Sequence, residues 1–120
     1  MNLMALSDIR SNVEDFLLRL TDYARFERGK NINDSELIIK ELLEGRIKAR
    51  IKKYTIEVDL QRRLLKHDCN DWRKGRNKKR ICKHVVKLFL MIPKEHSKKI
   101  LRDIVENRDD WGFHDWTVHV

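Results

Sequence analysis

The chain is predicted to be α+β: N-terminal helices, a small antiparallel three-stranded sheet made of a hairpin plus a third strand, and C-terminal helices. Three observations predict this. Apolar residues recur at helical spacing over the first thirty positions, alternate with charged residues between Arg46 and Asp59, and return to helical spacing after Cys82.

In the first stretch, Ser7 can cap a helix whose inward stripe is Ile9, Val13, Phe16, Leu17, Leu20 and Ala24, with Gly29 as its stop. Asn33 or Asp34 can cap a second helix carrying Leu37, Ile38, Leu42 and Leu43, closed by Gly45. The hairpin follows. A two-residue turn at Lys52-Lys53 sets Ile51 opposite Tyr54, Ala49 opposite Ile56 and Ile47 opposite Val58 on one face. The other face then pairs Lys48 with Glu57 and Arg46 with Asp59, so one register satisfies both hydrophobicity and charge. Lys-Lys lacks the Gly or Asn that such a turn prefers.

After a turn near Gln61-Arg62, Leu64–Cys69 reads as the third strand, and residues 70–81 as a polar loop containing Gly75 and Asn77. Cys82–Ile92 carries Val85, Val86, Leu88, Phe89 and Ile92, the pattern of a buried helix. Pro93 breaks it and opens another helix with Ile100, Leu101, Ile104 and Val105 inward. The aromatic tail, Trp111, Phe113 and Trp116, either docks on the domain or stays free. The divisions that result are a helical segment over 1–41, a central unit over 42–92, and a helix with an aromatic, acidic tail over 93–120.

The chain has 120 residues, of which 41% are hydrophobic and 38% charged, enough for one domain with a modest core. No apolar run reaches membrane-spanning length, and Met1–Leu6 is too short and uncharged for a signal peptide. Two cysteines cannot make a disulfide scaffold. The expected location is therefore cytoplasmic, or a nucleoid or nucleus, with no membrane partner.

The net charge of +8 is unevenly placed. Residues 1–60 balance 11 Lys/Arg against 11 Asp/Glu, whereas Arg62–Arg102 holds 15 basic residues and 3 acidic ones. A basic block of this kind attracts polyanions.

Both cysteines have a histidine two positions away, in mirror order: His67-Asp68-Cys69, twelve residues, then Cys82-Lys83-His84. Two thiolates and two imidazoles are a complete tetrahedral set for Zn2+. In an extended strand His67 and Cys69 point to one side, and Cys82 and His84 at a helix start can reach back toward them. Four protein ligands leave no open position, so the expected zinc is structural, one per chain, and the fold gathers around it.

This spacing, after a hairpin and before an apolar helix, resembles the SWIM zinc finger, whose pattern is Cys-x-Cys, a variable spacer and Cys-x-His. Trp72, three residues past Cys69, matches an aromatic often found there, and Tyr54-Thr-Ile-Glu-Val resembles the family's preceding strand. The resemblance covers about residues 42–92, with His67 standing in place of the usual first Cys. It implies His67, Cys69, Cys82 and His84 as zinc ligands. It also implies a module that binds DNA or another protein, accessory to repair, recombination or transcription. One alternative it implies is an adaptor for a RecA-family recombinase paralogue, with the first helix and aromatic tail as the interface.

The loop inside the ligand set carries Arg73, Lys74, Arg76, Lys78, Lys79, Arg80 and Lys83, with no acidic residue after Asp71. These are the candidate nucleic-acid contacts, DNA favoured, and Gly75 allows close backbone approach. Arg46, Lys48, Arg50 and Lys52 on the hairpin's outer face can extend the patch. Five to seven phosphate contacts correspond to a log–log salt slope of about −4.5 to −6 on duplex DNA. Nothing resembles a base-reading helix, so little sequence specificity is expected. Trp72 is expected to pack beside the zinc. An enzyme is not expected: the chain has no Gly-rich phosphate loop, no nucleophile motif and no carboxylate cluster for magnesium, and His96, His114 and His119 are scattered.

Overall fold

A computed structural model of the chain describes residues 12–117. Five helices and five strands occur among them, and the α+β class holds. The sheet is larger than three antiparallel strands: it has five, in the order β1-β2-β3-β4-β5, and it is mixed.

Ser7 and Ile9 lie outside the described residues. Helix α1 (Val13–Leu20) is capped by Asn12, whose side chain accepts the Asp15 N–H at 2.9 Å, and Asp15 reaches back to the Asn12 N–H. The expected single helix running through Ala24 is two. Thr21 is extended, its hydroxyl donates to the Ile81 carbonyl at 2.8 Å, and Asp22 caps helix α2 (Tyr23–Lys30) by accepting from the Arg25 N–H. Gly29 is not the stop. It lies inside α2, buried, where a Cβ would come within 2.6 Å of Val86 Cγ1 and 2.8 Å of the Lys83 carbonyl oxygen. Its role is to let α2 approach helix α4 (Lys83–Met91) closely.

The second expected helix is a strand. After a 3-10 turn at Asp34–Glu36, β1 (Leu37–Leu43) pairs antiparallel with β2 (Arg46–Ile51), placing Leu37, Ile39 and Leu42 opposite Ile51, Ala49 and Ile47. The register slips between Ile39 and Glu41, a bulge that inserts one residue. That extra residue breaks period-two alternation in Leu-Ile-Ile-Lys-Glu-Leu-Leu, so the strand's own pattern is lost in sequence. The turn to β2 passes through Gly45 at φ 79°.

Strand β3 (Tyr54–Asp59) pairs with β2 in the register expected: Ile51 with Tyr54, Ala49 with Ile56, Ile47 with Val58, Lys48 with Glu57 and Arg46 with Asp59. Lys52 accepts the left-handed conformation that the tight turn imposes, at φ 54°. Its N–H donates to the Glu36 carbonyl at 3.0 Å, which helps hold it there.

The strand expected over Leu64–Cys69 is β4 (Leu64–His67), which pairs with β3 but stops short of Cys69, the N-cap of the next helix. Residues 70–81 are not an open loop: helix α3 (Asn70–Gly75) and a 3-10 turn at Arg76–Lys78 occupy most of them. Helix α4 is buried from His84 to Phe89 and exposed at Met91, Pro93 opens helix α5 (Lys94–Glu106), and Ile100, Leu101 and Ile104 face the core, with Val105 half-buried. The tail docks. Strand β5 (Gly112–Asp115) runs parallel to β4 after the α3-α4-α5 crossover, and Trp111 and Phe113 are buried. Ile47, Ala49, Ile51, Ile56, Val58, Leu65 and Phe113 from the sheet share one core with Leu17, Leu20, Phe26, Val85, Leu88 and Leu101 from the helices.

Candidate metal centre

His67 ends β4, Cys69 caps α3, Cys82 is the N-cap of α4 and His84 lies in its first turn. Two histidines 17 positions apart thus come together because α4 packs its N-terminus against the end of β4. All four are buried, and one ligand atom from each lies within 4.8 Å of the others.

Two of the separations are close to those around a tetrahedral ion. His67 Nε2 is 3.3 Å from His84 Nδ1, and Cys82 Sγ is 3.9 Å from the same nitrogen. Zinc bonds of about 2.0–2.1 Å to nitrogen and 2.3 Å to sulfur separate two nitrogens by about 3.3 Å, and nitrogen from sulfur by about 3.6 Å.

Neighbours orient the ligands. His67 Nδ1 is 2.7 Å from the Thr55 carbonyl oxygen, which only accepts, so that nitrogen carries the hydrogen and Nε2 presents its lone pair inward. Asp68, between the ligands of the first pair, accepts the Thr55 N–H at 3.0 Å and pins the start of β3 to them. The Trp72 N–H donates to Cys69 Sγ at 3.3 Å. Tyr54, with its ring 5.0 Å from that of His84, and Trp72, 6.0 Å from His67, form an aromatic wall. Thr55 and Asp68 were not legible as site residues, because the Thr55 backbone meets the Asp68 carboxylate and the His67 ring only once β3 pairs with β4.

The surroundings push the two thiols in opposite directions. A hydrogen bond from Cys82, helped by His67 and His84, holds the Cys69 thiol well below the usual thiol range. Burial, and then Cys69 itself, push the Cys82 thiol up. A divalent cation removes this conflict, since two thiolates and two neutral imidazoles balance its charge. The residues present fit a metal, and four protein ligands would close its shell.

The basic residues nearby are arranged differently from the sequence expectation. Arg73 and Arg76 place their Nε atoms 3.5 Å and 3.7 Å from Asp115 of β5, and Arg80 lies 3.4 Å from Asp71. Lys79 donates to the Trp111 carbonyl and lies 5.4 Å above the Phe113 ring. Gly75 is covered by the Arg80 guanidinium, so its missing side chain makes room for an arginine of the same chain. Lys74 and Lys78 remain exposed. On the hairpin, Arg46, Lys48 and Lys52 face Glu41, Glu57 and Glu36. Lys83 lies on a different surface, a shallow cleft over the metal centre shared with Lys52, Lys53, Tyr54 and His84.

Trp72 packs as expected: it is fully buried, stacks on Phe113 at 5.0 Å, and donates Nε1–H to the His114 carbonyl at 2.9 Å. Trp111 donates to Asp103 at 2.8 Å and Trp116 to Glu57 at 2.8 Å, so the tail aromatics are spent on the chain's own fold. Lys87 is also buried, and its ammonium reaches Asp34 in the turn before β1.

Fold and site define a small α+β domain with a candidate His-Cys-Cys-His metal centre between strand and helix. Comparison of the chain with protein-family models, curated proteins and solved structures found no match. No helix among the described residues is long and apolar enough to cross a membrane.

Proposed function

We propose that this chain is a zinc-stabilised, non-catalytic module of SWIM type that holds nucleic acid, DNA favoured, by its phosphates and with little sequence preference. The observation that carries the reading is the position of Lys83. It stands between two ligands, Cys82 and His84, and lines the same cleft as Lys52 and Lys53. Metal binding therefore holds Lys83 beside Lys53 and Lys52 on one surface, with Lys52 also facing Glu36. Zinc is the metal proposed because soft thiolates with imidazoles in a closed tetrahedron select it. Lys74 and Lys78 are the loop residues that remain free to add contacts.

Three to five phosphate contacts correspond to a log–log salt slope of about −2.7 to −4.5 on duplex DNA, shallower than the whole basic loop implies. Fluorescence anisotropy on duplex and single-stranded DNA, read across salt, tests this. The double variant K53E/K83E should lose most of the affinity while keeping its metal. Undiminished binding by that variant would reject the cleft as the contact surface.

A further inference from the structure

Strand β1 is an edge of the sheet, and among the described residues nothing pairs with its outer side. It is unusually apolar for an edge: Ile38 and Leu43 are 56% and 54% exposed, and Ile39 and Leu42 are also open to solvent. Long apolar edges template pairing with another strand. The pattern of this one specifies which strand.

Read outward from its centre, Ile38-Ile39-Lys40-Glu41-Leu42-Leu43 is self-complementary. We propose that two copies of the chain join through β1, antiparallel about a two-fold axis normal to the sheet. Ile39 then lies opposite Leu42 of the second copy, Ile38 opposite its Leu43, and Lys40 opposite its Glu41, each pair occurring twice. Two five-stranded sheets become one continuous sheet.

The bulge makes this register possible. A two-fold normal to the sheet keeps faces unchanged, so residues paired across it must share a face. In a regular strand, positions 39 and 42 point to opposite faces. Here Ile39 lies opposite Ala49 and Leu42 opposite Ile47, both on the core face, while Ile38 and Leu43 lie opposite Arg50 and Arg46 on the outer face. The inserted residue at the centre brings both apolar pairs into phase. The neighbouring registers set Lys40 against Lys40 or Glu41 against Glu41, and like charges there are repulsive. A second copy is thus the occupant whose charge and face pattern the edge fits.

Sedimentation equilibrium from micromolar to submillimolar protein tests the proposal, with circular dichroism confirming that each variant folds. The wild type should dimerise. K40E sets a carboxylate against Glu41 of the second copy, and E41K sets an ammonium against its Lys40, so each alone should weaken self-association by about tenfold. Mixed in equal amounts, the two variants regain both opposite-charge pairs and should form a heterodimer of near wild-type affinity. Lys40 is exposed, so K40E serves as a folded test even where E41K, which removes the Glu41–Arg46 pair, does not. A wild type that stays monomeric overturns the proposal, as does a dimer indifferent to either reversal or a mixture that fails to associate.

Discussion

The Nε2 of His67 and the Nδ1 of His84 stand 3.3 Å apart inside the core, one from a strand end and the other from the first turn of a helix. The Thr55 carbonyl claims the remaining hydrogen of His67, so its inward nitrogen is an acceptor. With two sulfurs beside them, these nitrogens form a concentration of donor atoms that a cation reconciles.

The first expectation is therefore one zinc per chain by native mass spectrometry, lost in His67→Ala and in Cys82→Ser. With metal at about a thousandfold over its dissociation constant, the bound state gains about 4 kcal/mol, so a chelator should lower Tm markedly. Metal-free protein of unchanged Tm and undisturbed cooperativity would remove the basis for a structural ion.

Gly29→Ala tests the contact between α2 and α4. In an exposed helix the change favours folding by roughly 1 kcal/mol. Here the added Cβ meets Val86 and the Lys83 carbonyl below 3 Å, and backbone is among what must shift. A net destabilisation of about 1–3 kcal/mol is expected from urea unfolding. A stabilised variant would mean that the helices separate easily.

Asp115, on β5, lies 3.5 Å from Arg73 and 3.7 Å from Arg76 and offsets one of their two charges. Asp115→Asn should release both side chains toward solvent and add up to two phosphate contacts, tightening DNA binding and steepening the salt slope by up to about 2. An unaltered slope in anisotropy titrations would show that neither arginine reaches the nucleic acid.

Acid should unfold the protein partly through Asp71. Two hydrogen bonds at 2.8 Å from Arg25 hold its carboxyl below the usual range. Because the folded value is depressed, the stabilisation is whole above about pH 4, the ordinary carboxylate range, and is lost as pH falls through the lower folded value. Asp71→Asn should be less stable than wild type near neutrality, with the gap closing below about pH 4. Urea midpoints across pH measure it; a gap independent of pH would assign the loss to packing.

Local pattern was sufficient for part of this fold. The β2-β3 register followed from two faces that each made sense in one alignment only, one apolar and the other opposite in charge. The buried helix after Cys82 and the Pro93 start of α5 were likewise written in their own residues. Four His and Cys residues at mirrored spacing sufficed to name the candidate ligands, because few other chemistries use that set.

What lay between distant segments was not legible. Leu37–Leu43 reads as a helix until β2 offers it hydrogen bonds and a bulge restores its phase. Gly-Phe-His-Asp is too short to declare a strand, and becomes β5 only beside β4, where Phe113 can stack on Trp72. The same docking carries Asp115 to the basic segment and turns an open-looking cationic loop into a partly neutralised one. The sequence alone determined which groups exist and their local phase, since these depend on neighbours a few residues away. Tertiary structure alone decided which of them meet, because burial, bulges and ion pairs between remote segments depend on the packed chain as a whole.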